Sequence, residues 1–524
     1  MTQDSPPPTL PRLSPRNFLS RSLERSDSLA LLVAALLVAL LIAIEYSSGL
    51  GVYWETNDDC AIVMASYGFA LVEEPSLEAI PILPWILRVI LLSLQRLVPS
   101  APWHALILAG VLALSFGALF VVACRNLGWK LGLALALLSW IALRPATLFQ
   151  FTRASSFAAM AGTLWLGYVL GRERARPAWP AAGLSVLLFT ASALLRWHSC
   201  VLVTAVLAPL ALARLISAHY SDRQVLGRRA LLLITILALP TLLHLVDGVI
   251  SDRLDNYGEV NRLRGYVQEY SPDLATLSPE ARQRVLDAAN WSTNDYRAIR
   301  GWLFADPKVF SKDRLQSAAS AIQAHARQPP PAAGSFWAML TSNPATLFQG
   351  AFALACLPLA LLLCPRWTWV LSLSTFAFAL LALYLIQTFL KPPPARVLQP
   401  LLCALSFAPI LLARAEFSRE GLSRLQLAGR LGPALCITLA AVVCVPHATR
   451  DTSMLADFVK ELDPTPNQLY FVQGDSMPWE SQPVFRPPAA AFETFRAYPL
   501  GMQQLHPSVL AKTASRGHDR PFLA

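Results

Sequence analysis

The chain has 524 residues, 55% of them hydrophobic and only 15% charged, with a mean hydropathy of +0.45. That balance excludes an ordinary soluble globular protein and points to an all-α polytopic membrane protein. The net charge of +10 then reads as the excess of basic residues that membrane proteins gather in cytoplasmic loops, not as a nucleic-acid-binding surface.

In chain order, residues 1–27 are rich in Pro, Ser and Arg and are expected to be a disordered cytoplasmic N-terminus. Apolar runs long enough to cross a bilayer follow at 28–46, 103–124, 131–149, 154–171, 180–196, 199–216, 230–247, 344–363, 367–389, 396–413 and 431–446. With this set of about eleven transmembrane helices, the basic clusters at Arg12/Arg16/Arg21/Arg25, Arg125/Lys130, Arg172/Arg174/Arg176, Arg223/Arg228/Arg229, Arg366 and Arg414/Arg419/Arg424/Arg430 all fall on one side. The positive-inside rule assigns that side to the cytoplasm, with the N-terminus in and the C-terminus out. The expected organisation is a membrane module at 28–247 that includes a first outer loop at 46–102, a large outer loop at 248–343, four further spans within 344–446, and a small outer C-terminal region at 447–524.

The stretch "IPILPWILRVILLSLQRLVPSAPW", 80–103, is apolar but interrupted by Pro81, Pro84, Arg88, Gln95 and Arg96. The uninterrupted part is too short to cross, and Arg88 and Gln95 share a helix face, which predicts an interfacial helix. Most of the eight cysteines lie inside apolar runs, at Cys200, Cys356, Cys403, Cys436 and Cys444. Their spacing fits neither a metal site nor a disulfide framework.

Chemistry-bearing residues gather at the predicted outer face. In "WETNDDCAIVMASYG", 54–68, Asp58 and Asp59 are adjacent, so on a helix their side chains diverge by about 100° and cannot share a proton. They read either as first-turn acids suited to the helix dipole or as catalytic acids at the mouth of the membrane. Trp54, at the head of this stretch, is a substrate-contact candidate. Arg144, Arg153, Arg196-Trp197-His198, Lys391 and Arg396 fall at the outer boundary, against the orientation bias. Together Arg153, Arg196, His198, Lys391 and Arg396 suggest an anion site, because guanidinium forks match phosphate oxygens. The alternative for any one of them is snorkelling to headgroups. In "NWSTNDYRAIRGWLFADPKVF", 290–310, Thr293 or Asn294 is expected to cap a helix with Tyr296, Ile299, Trp302 and Leu303 on one face, and Asp295 reads as a first-turn acid.

The order of a first span, an acidic outer loop with interfacial helices, and seven spans before a large outer loop resembles the GT-C superfamily of polytopic glycosyltransferases. More narrowly, "TNDDCAIVMASYG", "PWH" at 102–104, "WSTNDYRAIRGWLFADPKVF" and "RVLQP" resemble a largely uncharacterised group of bacterial membrane proteins. The GT-C resemblance implies hexosyl or pentosyl transfer from a polyprenyl-phosphate-linked donor to a glycan, lipid or protein acceptor, at the outer face of the bacterial inner membrane. It implies that an acid of the first outer loop, Asp58 or Asp59, serves as base, or as ligand of a divalent cation such as Mg or Mn. It also implies that basic residues hold the phosphate. The Asn-Asp-Asp order departs from the family pattern. Two other classes remain open: an O-antigen polymerase or ligase, and a lipid-phosphate transporter or flippase.

Overall fold

The computed structural model describes residues 27–48, 52–54, 57–68, 82–127, 148–170, 179–217, 223–255, 257–271, 273–301, 308–325, 366–389, 453–462, 469–473, 481–486 and 496–500, with isolated positions between them such as Leu77, Trp140 and Arg396. The expected N-terminal segment up to residue 26, most of the spans predicted at 131–149 and 396–413, and all of those at 344–363 and 431–446 lie outside the described residues.

The described chain is mostly helical. Four helical segments are long and apolar enough to cross a membrane: Asp27–Ser47, Trp103–Asn126, Ala182–Pro209 and Leu233–Ser251. They belong to α1 (Asp27–Ser47), α4 (Trp103–Leu127), α6 (Trp179–Ser217) and α7 (Arg223–Asp255). Between α1 and α4 come strand β1 (Tyr53–Trp54), α2 (Asn57–Ser66) and α3 (Trp85–Leu97). Strand β2 (Leu148–Phe149) leads directly into α5 (Phe151–Leu170), which is buried along almost its whole length. At 25 residues, α4 is about 37 Å long at 1.5 Å per residue, more than a hydrocarbon core of about 30 Å requires.

The segment α6 is not straight. Arg196 leaves helical geometry, at φ −160° and ψ 97°. Across it, the Cys200 thiol lies 3.9 Å from the Phe189 carbonyl. A continuous helix would separate residues eleven apart by about 16 Å. The chain therefore folds back at Arg196, so the apolar segment Ala182–Pro209 is two helices joined by a reversal, not one straight helix.

Side-chain contacts fix two ends of the bundle. At one end, Arg125 at the close of α4 pairs with Asp27 at the start of α1, Nη2 to Oδ1 3.0 Å, and the Tyr168 hydroxyl near the close of α5 reaches the same carboxylate at 3.4 Å. At the other end lie the starts of α4 and α5, the reversal at Arg196 and the short parallel pairing of β1 with β2, Tyr53 opposite Leu148 and Trp54 opposite Phe149. There too His244 of α7 stacks on Trp197, with ring centroids 4.4 Å apart. The bundle is knit by small residues. Ser155 and Ser192 exchange hydrogen bonds with each other's carbonyls at 2.8 and 2.7 Å, which brings α5 against α6 as small side chains do between membrane helices.

The helix expected in 80–103 is present as α3. Its 13 residues span about 20 Å, too short to cross. Arg88 and Gln95 share a face as predicted, but that face is the buried one. Arg88 donates to the Leu77 carbonyl at 3.0 Å and Gln95 to that of Pro99 at 2.6 Å, whereas Ile90 and Leu97 are exposed. The helix begins on Asp247 of α7, whose carboxylate accepts from the Ile86 N–H at 3.0 Å. This satisfies one of the amides that every helix start leaves open.

The segment expected to be the large outer loop folds into a second helical unit, termed the outer unit after that expectation, with its own core: α8 (Tyr257–Gly265), a π-helical turn (Tyr266–Tyr270), a 3-10 turn (Leu274–Thr276), α9 (Pro279–Ala289), α10 (Thr293–Arg300) and α11 (Lys312–His325). Val285, Ile299, Phe304, Leu315 and Ile322 lie in that core. Ile82, just ahead of α3, packs against both this core and that of the bundle. Helix α10 is capped by Ser292, not by Thr293 or Asn294. Its hydroxyl accepts from the Asp295 N–H, and Asp295 returns a bond to the Ser292 N–H at 2.7 Å. Asp295 is thus the first-turn acid of a capping box. Tyr296 and Ile299 are buried as expected, while Trp302 and Leu303 lie outside the described residues.

Helix α12 (Arg366–Phe389) shares a small core with Val206 of α6 and with Leu398 and Leu401. The C-terminal region contributes α13 (Ser453–Leu462) and a parallel pair, β3 (Leu469–Gln473) with β4 (Arg496–Leu500). Leu455 and Val484 enter the bundle core. Phe485 meets Tyr46 and Phe149 edge-on at 5.1 and 5.4 Å, so this region packs on the same end of the bundle as β1 and β2.

Candidate functional site

Helix α2 starts at Asn57, so Asp58 and Asp59 occupy its first turn. Adjacent positions on a helix point apart, and the two acids do enter different surroundings. Asp59 is fully buried. Its Oδ1 is 3.0 Å from Nε2 of His104, at the start of α4, and accepts from the Phe151 N–H, at the start of α5, at 3.2 Å. The same carboxylate therefore joins the first turns of three helices, and the positive end of the α5 dipole favours its charge. Burial nevertheless raises the Asp59 pKa above its ordinary 3.8, opposed by the bond from His104. His104 is stacked on Trp54, centroids 5.6 Å apart, and Trp54 is itself held edge-on against Phe149 of β2.

Asp58 faces the other way. Part of its surface stays accessible, yet it lies deep enough among protein atoms that burial raises its pKa. Against that rise act the charges of Arg396, then Arg196; Glu269 adds to it, by more than Arg264 takes away. Arg196 sits at the reversal in α6, with its guanidinium carbon 5.8 Å from the centre of the Phe151 ring. Phe151 therefore serves both acids, donating its N–H to Asp59 and offering its ring face to the arginine that faces Asp58, a cation–π contact. Arg264 comes from α8 in the outer unit, where it pairs with Glu269 at 2.6 Å. The Nε of Arg396 is buried without a hydrogen-bond partner among the described residues.

Of the residues singled out from the sequence, Asp58, Arg196 and Arg396 are brought together. Asp59 is adjacent but turned into the bundle. Trp54 is fully buried and supports His104; it offers no open face to a substrate. Arg153 is buried in the first turn of α5, where its N–H is capped by the Gln150 side chain at 2.8 Å. The charges that act most on Asp58 do not include it. His198 is exposed just past the reversal, and Lys391 and Arg144 lie outside the described residues. His104, Phe151, Arg264 and Glu269 were not singled out as site residues. His104 stood in plain view in the "PWH" stretch, at the start of α4. Arg264 and Glu269 carry no local signal, because only the folding of the outer loop brings them near Asp58.

The donor set suits an anion better than a divalent cation. The charges of three guanidinium groups act on Asp58, against those of Glu269 and the neighbouring Asp59, and Oδ1 of Asp59 is engaged by His104 and Phe151. Among the described residues no group of three or more His, Cys, Asp and Glu side chains converges. What the arrangement can do is hold a negatively charged group beside a carboxylate whose own charge is only partly compensated. No protein-family model, curated protein or solved structure matches the chain.

Proposed function

We propose that this chain is a bacterial inner-membrane glycosyltransferase of GT-C type, with about eleven spans and its site at the periplasmic face. It would use a polyprenyl-phosphate-linked sugar and a cell-envelope acceptor. The observation that supports this reading best is the division between the two acids. Asp59 is tied into the helix ends, and Asp58 is left facing Arg196 and Arg396.

In this reading Asp58 is the base. The acceptor hydroxyl oxygen forms a bond to the anomeric carbon as the bond from that carbon to the phosphate oxygen breaks. The hydroxyl proton passes to Asp58, and the electron pair of the broken bond leaves on the phosphate, where Arg196 and Arg396 stabilise the charge. Asp59 does not touch the reacting atoms; with His104 it fixes the start of α2 and so the direction of Asp58. A single displacement inverts the anomeric centre.

The test is transfer from a panel of polyprenyl-phosphate-linked, radiolabelled hexoses and pentoses by the purified protein in proteoliposomes, comparing Asp58→Asn and Asp59→Asn with the unmodified chain. Full transfer by both variants at normal expression would sink the proposal. Movement of the labelled carrier across the bilayer without sugar transfer would favour a flippase instead.

A further inference from the structure

The reversal in α6 is held at three points, and together they set where Arg196 goes. Its carbonyl accepts from the Ser155 hydroxyl of α5 at 3.1 Å, and the same hydroxyl reaches the Ser192 carbonyl just ahead of the turn. Its guanidinium carbon lies 5.8 Å from the centre of the Phe151 ring, and Phe151 donates its N–H to Asp59. The third point comes from α7. Trp197, the residue after Arg196, lies flat against His244, with ring centroids 4.4 Å apart and ring planes 11° from parallel. On its other sides α7 is apolar and open: Leu237, Leu242, Leu245, Val246 and Val249 are exposed. Within its apolar segment Leu233–Ser251 the only titratable side chains are His244 and Asp247. Three residues apart, they share a helix face, and that face is turned to the protein. Titratable groups inside a span are costly and mark functional positions. Asp247 holds the start of α3, and His244 holds Trp197.

We propose that His244 is a positioning residue for Arg196: its ring pins Trp197, so that the chain leaves helical geometry with the Arg196 guanidinium laid over Phe151, at the contact between Phe151 and Asp59. The hold is made ring to ring. An aromatic residue should therefore replace His244, and an aliphatic one of similar size should not. The inference rests on the Asp58 reading for what Arg196 does once placed, which is to stabilise a leaving phosphate. It deepens that reading by adding α7, a helix with no side chain of its own at the two acids, to the elements that build the site.

The test reads Arg196 itself and needs no substrate. The full chain in detergent is treated with phenylglyoxal, which modifies guanidinium groups, and the rate at Arg196 is followed by peptide mass spectrometry. Arg125, paired with Asp27 at the opposite end of the bundle, is the internal reference. His244→Leu should speed modification of Arg196 about two- to twelvefold, the worth of one aromatic pair, and leave Arg125 unchanged. Phe151→Leu removes the ring under the guanidinium and should act in the same direction. The two together should add little to the larger single effect, because both release one side chain. His244→Phe should keep the rate of the unmodified chain. Should His244→Leu not fold, Trp197→Leu against Trp197→Phe makes the same comparison from the other ring. Arg196 reacting at the unmodified rate in His244→Leu, or only in step with Arg125, overturns the proposal, as does His244→Phe behaving like His244→Leu. Loss or survival of sugar transfer in Asp58→Asn bears only on the catalytic reading.

Discussion

Nε2 of His104 lies 3.0 Å from Oδ1 of Asp59, and neither side chain reaches solvent. A buried carboxylate survives only where its oxygens are matched by donors, and removing a donor leaves an uncompensated group. His104→Leu should therefore destabilise the chain by about 1–3 kcal/mol, read as a lowered Tm. Asp59→Asn keeps an acceptor oxygen for both His104 and Phe151 and should be far milder than Asp59→Leu. Equal losses for the two substitutions at Asp59 would show that these hydrogen bonds do not hold the site together.

Both acids have pKa values raised by burial, which fixes a sign for stability. A carboxyl that binds its proton more tightly folded than unfolded adds stability as pH falls from its folded pKa towards the ordinary 3.8, and that contribution is absent above the window. The unmodified chain should thus gain Tm relative to the Asp58→Asn/Asp59→Asn double variant as pH is lowered through this range. Thermal unfolding of the two proteins side by side checks it; a difference that moves the other way contradicts the burial argument.

Asp247 joins α7 to the start of α3 through the Ile86 N–H. Losing a helix cap typically costs about 0.5–2 kcal/mol, so Asp247→Ala should lower Tm by that order. Faster hydrogen exchange should be confined to residues 85–97. Uniformly faster exchange over the whole chain would mean the bond holds the bundle, not this helix.

Two glycines of α4 separate packing from propensity. A Cβ on Gly117 would lie 2.9 Å from the Ala35 backbone nitrogen, whereas one on Gly110 meets nothing within 4 Å. Gly117→Ala should push α1 from α4 and cost about 1–3 kcal/mol. Gly110→Ala should be neutral or stabilising by up to about 1 kcal/mol. Thermal unfolding of the two variants reads both.

Much of the bundle was legible because long apolar runs report their own length. The short helix in 80–103 was legible too, since its prolines and arginines break the run. Which way the face shared by Arg88 and Gln95 turns was not: the backbone carbonyls of Leu77 and Pro99 draw both inward. The divergence of Asp58 and Asp59 follows from helix geometry alone. Which of them turns inward depended on His104 and Phe151, 45 and 92 positions away in the chain. Arg153 and Trp54 were placed at the right end of the bundle but in its interior, because a charge or an indole beside a membrane reads the same in sequence whether it lines a cavity or braces a helix. Arg264 was invisible for a similar reason, as its charge is one of many in a mixed loop.

Asp58 carries the proposed chemistry, and sugar transfer by the single Asn variants in proteoliposomes tests its role most directly. Loss of the base should cut transfer by Asp58→Asn about 10²–10⁴-fold, with activity of the unmodified chain falling as pH drops through the raised pKa of Asp58. Asp59→Asn, which preserves the hydrogen bonds, should keep most of its activity. Undiminished transfer by Asp58→Asn beside a dead but folded Asp59→Asn would contradict the account.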